Sequence, residues 1–325
     1  MIRFFKTYQP AIMIIIPFII LAFWVPSFHD ITHNLQGGLP LWDAVASFVA
    51  WIPSWLSFFL MFLLISSQAI YLNFMLNRHD VIYKNTFIPA LIFAFFVSAS
   101  PAFMQFHPIH IVNLLIIRVF DRLFTLFKSE YPVSALFDIG FISGIIALLF
   151  FPGLFLLPVL FTALAIQRSF RFKEWLITLI GFVLPFFFLS VIMFWMHSLI
   201  AFWNDYTSHF TLLRPEFNMH LTLPLTVVLI FIGLLLILSL LKLRANYRKN
   251  VIRMRIYQQI FFIFLLVAAV SVFLLRTISL LDFLYILIPV TVFCAYFFVS
   301  AKKRVYLYEY ALWVLIGLMV WNQLI

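Results

Sequence analysis

The sequence predicts an all-α fold: a polytopic bundle of about eleven transmembrane helices forming one integral membrane domain over residues 1–325. Composition is the first reason. Apolar residues make up 66% of the chain, charged residues only 10%, and the mean hydropathy is +1.13. Soluble domains are roughly half apolar and about a quarter charged, so lipid must solvate much of this surface. The second reason is length, because a bilayer crossing takes about 20 apolar residues, with about 17 near the lower limit, and such runs recur throughout. The third is the placement of Lys and Arg, which favour short cytoplasmic segments between crossings.

The apolar runs fall at 10–25, 52–76, 86–104, 108–127, 136–151, 153–167, 175–196, 221–241, 257–275, 283–300 and 306–324. The first has a basic start but no small-x-small cleavage site after it, and reads as a retained first helix. The pair at 136–151 and 153–167 is short and joined by FFPG at Phe150–Gly153, as two helices at a tight turn or one broken element. With Arg3 and Lys6 cytoplasmic and all eleven runs crossing, 19 of the 21 Lys and Arg fall on the cytoplasmic side, leaving Arg214 and Arg276 outside. That arrangement puts the N-terminus in the cytoplasm and the C-terminus outside. Nine crossings also fit the charges, if 108–127 does not cross and 136–167 is a single span.

The segment FHPIHIVNLLIIRVFDRLF is the hardest element to read, because Arg118, Asp121 and Arg122 interrupt an apolar run. At the cytoplasmic end of a span the arginines can snorkel toward headgroups, and Asp121 is within helical reach of Arg118. The charges then mark topology, with His107 and His110 at the outer end. The remaining polar residues of the spans, Ser66, Ser67, Gln68, Asn73 and Asn113, read as helix-to-helix hydrogen-bonding groups.

The net charge of +10 is distributed as positive-inside loops, which points to anionic lipid headgroups at the cytoplasmic face and not to nucleic acid. The basic loop 242–256 belongs to the same pattern. Cys294 is the only cysteine, so neither a disulfide framework nor a cysteine metal cluster is available. Glycine-rich phosphate loops, HExxH, GxSxG and CxxC are all missing, and no cofactor is implied.

Seven of the eight histidines fall on the outer side, and His79 in NRHD is the exception. The outer loop 26–51 carries His29, Asp30, His33 and Asp43, and its second half has the pattern of a helix lying at the interface. Asp30 and Asp43 are the candidate catalytic carboxylates, placed to accept a proton at an outer-leaflet cleft. His29 and His33 have helical spacing, but imidazoles suit the headgroup layer, and no metal site is expected. Loop 197–220 and the segment 276–282 supply Arg214 and Arg276, the two cations excluded from the basic side. Each is a candidate for holding a substrate phosphate through a bidentate guanidinium fork, or for pairing with neighbouring Glu216 or Asp282.

Asn77 and Arg78, Lys84, Asn85 and Thr86, the Phe151–Pro152 step, and Phe170, Arg171, Glu174 and Trp175 together resemble an uncharacterised family of multi-spanning inner-membrane proteins from Bacteroidota. That resemblance implies a cell inner membrane location and no particular chemistry. A looser similarity, in span number and in an acidic first outer loop, is to multi-spanning lipid-linked sugar transferases and polymerases. Here the loop is short and lacks paired acids. The leading expectation is a non-enzymatic scaffold or component of an envelope-assembly or secretion complex, with membrane-protein partners. The alternatives are an enzyme acting on a polyprenyl-phosphate-linked glycan at the outer face, and a transporter. A transporter ordinarily needs a mid-membrane ionisable group, and none stands out in the spans.

Overall fold

The computed structural model describes residues 1–7, 9, 11–25, 39, 41–42, 51–128, 132–210, 215–219, 221–301 and 305–324. Among them the chain is overwhelmingly helical: α1 Ile2–Phe5, α2 Ala11–Trp24, α3 Ser54–Arg78, α4 Ile88–Val97, α5 Pro108–Thr125, α6 Val133–Leu149, α7 Leu156–Gln167, α8 Phe172–Trp195, α9 Leu199–Ser208, α10 Leu223–Asn246, α11 Ile252–Val272, α12 Leu287–Val299 and α13 Val305–Leu324. Among the described residues six segments are long and apolar enough to cross a membrane: Trp55–Arg78, Phe172–Trp195, Leu223–Lys249, Ile252–Val272, Leu280–Val299 and Val305–Gln323. The protein is a helical, polytopic membrane-spanning bundle.

The helices join at two ends of different chemistry. At one end Arg122 pairs with Asp138 at 3.7 Å, Arg168 donates to the Leu126 carbonyl at 2.8 Å and pairs with Glu174 at 3.1 Å, and Arg253 pairs with Asp80 at 3.8 Å. Lys6 donates to the Ala301 carbonyl at 2.9 Å, and Lys242 bonds the Tyr308 hydroxyl. These contacts gather the C-terminal ends of α3, α5, α7, α10 and α12 with the N-terminal ends of α6, α8, α11 and α13. This is the cationic end.

At the other end Trp24 Nε1 donates to Ser98 Oγ at 3.2 Å, and Asn322 Nδ2 to the Ala99 carbonyl at 3.0 Å. There also β1 (Glu216–Asn218) pairs in parallel with β2 (Thr277–Ser279), which ties the segment before α10 to the one before α12. This two-stranded patch is a small departure from the all-α expectation.

Two runs fold differently from their apolar lengths. The run at 86–104 is not one helix. α4 ends at Val97, and Ser100 Oγ accepts from the Ala102 N–H at 3.3 Å to start a 3-10 turn at Pro101. Proline has no N–H to continue a helix, and ten residues rise only about 15 Å. All ten residues of α4 are buried, so it is a core element packed against α3 and α12. At FFPG the chain turns through a 3-10 segment, Phe151–Phe155, and α7 returns toward the cationic end, where Arg168 meets Leu126.

α6 and α8 cross closely because glycines face each other. A Cβ on Gly181 would lie 2.6 Å from the Phe137 carbonyl oxygen, and Cβ atoms on Gly140 and Gly144 would strike the carbonyls of Thr178 and Phe182. Close backbone approach of this kind drives helix association where lipid offers no hydrophobic gradient. The outward face of α8, with Phe187, Phe188, Val191 and Ile192 exposed, is left to lipid.

Candidate functional site at the cationic end

The carboxylate that the sequence assigned to topology lies at the centre of a buried polar cluster. Asp121 is on the inward face of α5, with 3% of its surface exposed. Its Oδ1 accepts from His79 Nε2 at 2.8 Å and lies 3.9 Å from Arg78 Nη1. Its Oδ2 accepts from the Tyr71 hydroxyl at 3.0 Å and from Arg118 Nη1 at 3.5 Å. Arg118 also donates to the Tyr71 oxygen at 3.3 Å. Burying a lone carboxylate costs several kcal/mol, roughly, so this many donors are what the position requires. The expected Arg118–Asp121 contact is present, but it is the longer of the two hydrogen bonds at Oδ2.

Local folding explains how His79 arrives there. It caps α3, its backbone N–H bonding the Met75 carbonyl at 3.1 Å. Asp80 follows at φ 54°, in the left-handed region that Asp tolerates better than most residues. The reversal lets the Val81 N–H reach the Leu76 carbonyl at 3.0 Å, which closes the helix and holds the imidazole inward. The ring meets Phe124 and Tyr257 edge-on, and those two rings stack at 4.1 Å. Tyr257 donates its hydroxyl to the Phe124 carbonyl at 3.0 Å, fixing α11 against α5.

Beside this cluster is a cavity of about 210 Å³ lined by Arg78, His79, Phe124, Thr125, Phe127 and Arg253. Sites for drug-sized ligands run from about 300 Å³ upward, so this one suits a small anionic group. Nε2 of His79 is held by Asp121, which leaves Nδ1 as the nitrogen not engaged by the carboxylate. An imidazole oriented by a buried carboxylate, with two guanidinium groups on the same cavity, can move a proton beside a bound anion.

The four residues named from sequence do not gather here. Asp30, Asp43 and Arg214 lie outside the described residues, as does the metal reading of His29 and His33. Of the interfacial helix expected over 39–51, Leu39, Leu41, Trp42 and Trp51 are described, and only Leu41 and Trp42 of these are helical. Arg276 is exposed at the opposite end, beside the β1–β2 pair. Its N–H bonds the His209 carbonyl at 2.9 Å, and its carbonyl accepts from the Glu216 N–H at 2.7 Å. Asp282 accepts from Ser279 N–H at 2.7 Å and Ser279 Oγ at 2.8 Å, a capping role. His107 caps α5 through Nδ1, which accepts from the Ile109 N–H at 3.3 Å. The helix-to-helix reading of the amides holds for two of them: Gln68 donates to the His110 carbonyl at 2.7 Å and Asn113 to the Leu284 carbonyl at 3.1 Å.

The residues that sequence reasoning missed are Tyr71, His79 and Arg253. The dipeptide His79–Asp80 at a helix end was the available signal, but its partner is 42 positions away.

No protein-family model matches the chain, and no curated protein matches it. The residues behind the resemblance noted above mostly brace turns. Asn77 and Thr86 exchange two hydrogen bonds across the 79–85 turn, at 3.1 and 3.3 Å. Glu174 is held by Arg168 and Arg171, and Trp175 stacks on Phe161 at 4.9 Å.

Proposed function

We propose that the protein is a membrane-embedded enzyme that performs acid–base chemistry on a phosphate-bearing lipid at its cationic end. In this reading His79 transfers the proton, Asp121 orients and stabilises the imidazolium, and Arg78 and Arg253 hold the phosphate. The observation that carries it is the 2.8 Å His79–Asp121 bond at the edge of a cavity that the two arginines share. The enzymatic alternative from the sequence thus moves from the outer face to the basic one. We further propose that this end faces the cytoplasm of a cell inner membrane and that the chain crosses eleven times. The positive-inside distribution and the alternating direction of successive helices support that topology.

A second reading has its own support. Both Asp121 oxygens are occupied within the network, which fastens α3 to α5 and would serve equally in a non-enzymatic component of an envelope-assembly or secretion complex. The variants His79→Gln and Asp121→Asn separate the two, each checked for folding by thermal unfolding in detergent. The enzymatic reading expects folded His79→Gln to lose cellular function by about a hundredfold or more, with a phosphate-bearing lipid accumulating in extracts. Folded His79→Gln with full function and an unchanged lipid profile would leave the helix-fastening role and the scaffold.

A further inference from the structure

A second cavity, of about 540 Å³, opens at the cationic end and shares no lining residue with the His79 cavity. Its walls include Tyr83, Lys242, Asn246, Lys249, Tyr296 and Tyr308, and no carboxylate is among its described lining residues. Lys242 lies 4.3 Å over the Tyr308 ring and 5.1 Å over the Phe297 ring, and bonds the Tyr308 hydroxyl oxygen. Because that oxygen accepts from Lys242, the phenol keeps its own proton to donate elsewhere.

Cations crowd this corner. Lys6 titrates below the usual lysine range, through burial first and then the charges of Lys84 and Lys242. Such an accumulation is unfavourable unless an anion joins it. The wall is also fixed in advance. Tyr83 donates to the Val299 carbonyl at 2.6 Å, Tyr296 to Asn250 Oδ1 at 3.3 Å, and Asn250 Nδ2 to Gln258 Oε1 at 3.1 Å. Those donors are committed to the protein. The ammonium groups of Lys242 and Lys249 and the Tyr308 hydroxyl are left to face a ligand, and the Asn246 amide, which gives one N–H to Tyr296, keeps a second for it.

We infer that this cavity is a binding site for a phosphate group, held by Lys242, Lys249, Asn246 and Tyr308, with the tyrosine wall taking the adjoining part of the ligand. The inference stands apart from the His79 reading, since it uses other residues and another cavity. The phosphate belongs either to an anionic lipid headgroup or to a water-soluble phosphate compound, which present the same oxygens to the site.

The test uses full-length protein in nanodiscs of phosphatidylcholine alone or with phosphatidylglycerol. Bound lipid is counted by native mass spectrometry, and inorganic pyrophosphate is titrated while thermal unfolding is followed. A lipid source predicts saturable retention of phosphatidylglycerol. A soluble source predicts stabilisation by pyrophosphate in phosphatidylcholine discs. In either case Lys242→Gln with Lys249→Gln weakens the response about tenfold or more. Arg171→Gln with Lys173→Gln, an equal charge loss elsewhere on the same end, leaves it unchanged. Should the double lysine variant fail to fold, Lys249→Glu alone, at an exposed position, still lowers affinity. Neither probe binding saturably, or lysine variants binding like the parent, would overturn the site.

Discussion

At the scale of single residues, Asp121 shows how burial decides which contact matters. Its partner His79 is almost wholly buried, whereas the side chains of Arg118 and Arg78 are 42% and 68% exposed. Removing the carboxylate leaves the arginines free to hydrate, but strands a buried ring nitrogen, at a cost of about 1–3 kcal/mol. Asp121→Ala is therefore expected to lower stability by about 2–3 kcal/mol, and Arg118→Gln by less than about 1 kcal/mol, measured by unfolding in detergent. Equal effects from the two variants would contradict this ranking. The Arg118–Asp121 contact was legible because three positions on a helix fix the distance. The bond to His79 was not, because it depends on the left-handed turn at Asp80 and on the packing of α3 against α5.

His107 gives a pH-dependent effect. Burial, and then the neighbouring His110, push its imidazole down to about 3. The unfolded chain takes up this proton near the ordinary value of about 6.5, so it binds more protons than the folded chain between those limits. Above about pH 6.5 the group contributes no pH dependence; as pH falls from there toward 3, stability is progressively lost. His107→Asn keeps a capping side chain at the start of α5 and is expected to flatten stability across that window. An unchanged slope would assign the acid sensitivity to other groups.

At the scale of elements, glycines separate packing from propensity. Gly140, Gly144 and Gly181 face backbone of the opposing helix, so a larger side chain must push α6 and α8 apart. Gly317 in α13 has nothing within 4 Å of where a Cβ would stand. Gly181→Leu is expected to cost several kcal/mol or prevent folding, while Gly317→Ala is neutral or stabilising by up to about 1 kcal/mol. Paired thermal unfolding curves check the contrast, and comparable losses at both sites would refute the close crossing. Sequence shows glycines but not their neighbours, so this crossing was not legible. The turn at FFPG was, because proline and glycine act locally. The shortness of α4 could have been read from SASP at 98–101, but its apolar flanks conceal it.

At the scale of the whole molecule, the question is how the chain threads between its two ends. Among the described residues six helical segments have the length and apolarity to cross, while α4 at ten residues does not reach across a hydrocarbon core of about 30 Å without its flanking turns. The proposed eleven crossings and the nine-crossing alternative differ most simply at the start of α6. With nine, the segment before α6 is on the opposite side of the membrane from the α7–α8 connection. With eleven, the two share a side. Arg122–Asp138 and Arg168–Leu126 bring those segments together at the cationic end, favouring the latter. Single cysteines at Ser134, Lys173 and Lys249 are therefore expected to react with a membrane-impermeant maleimide from one side only. Cysteines at Asp205 and Glu216 should react from the other. The native Cys294 is buried and should stay silent until the protein is unfolded. Ser134→Cys reacting from the side opposite to Lys173→Cys would remove the crossing at 108–127 and, with it, the placement of the His79–Asp121 pair near the cytoplasmic face.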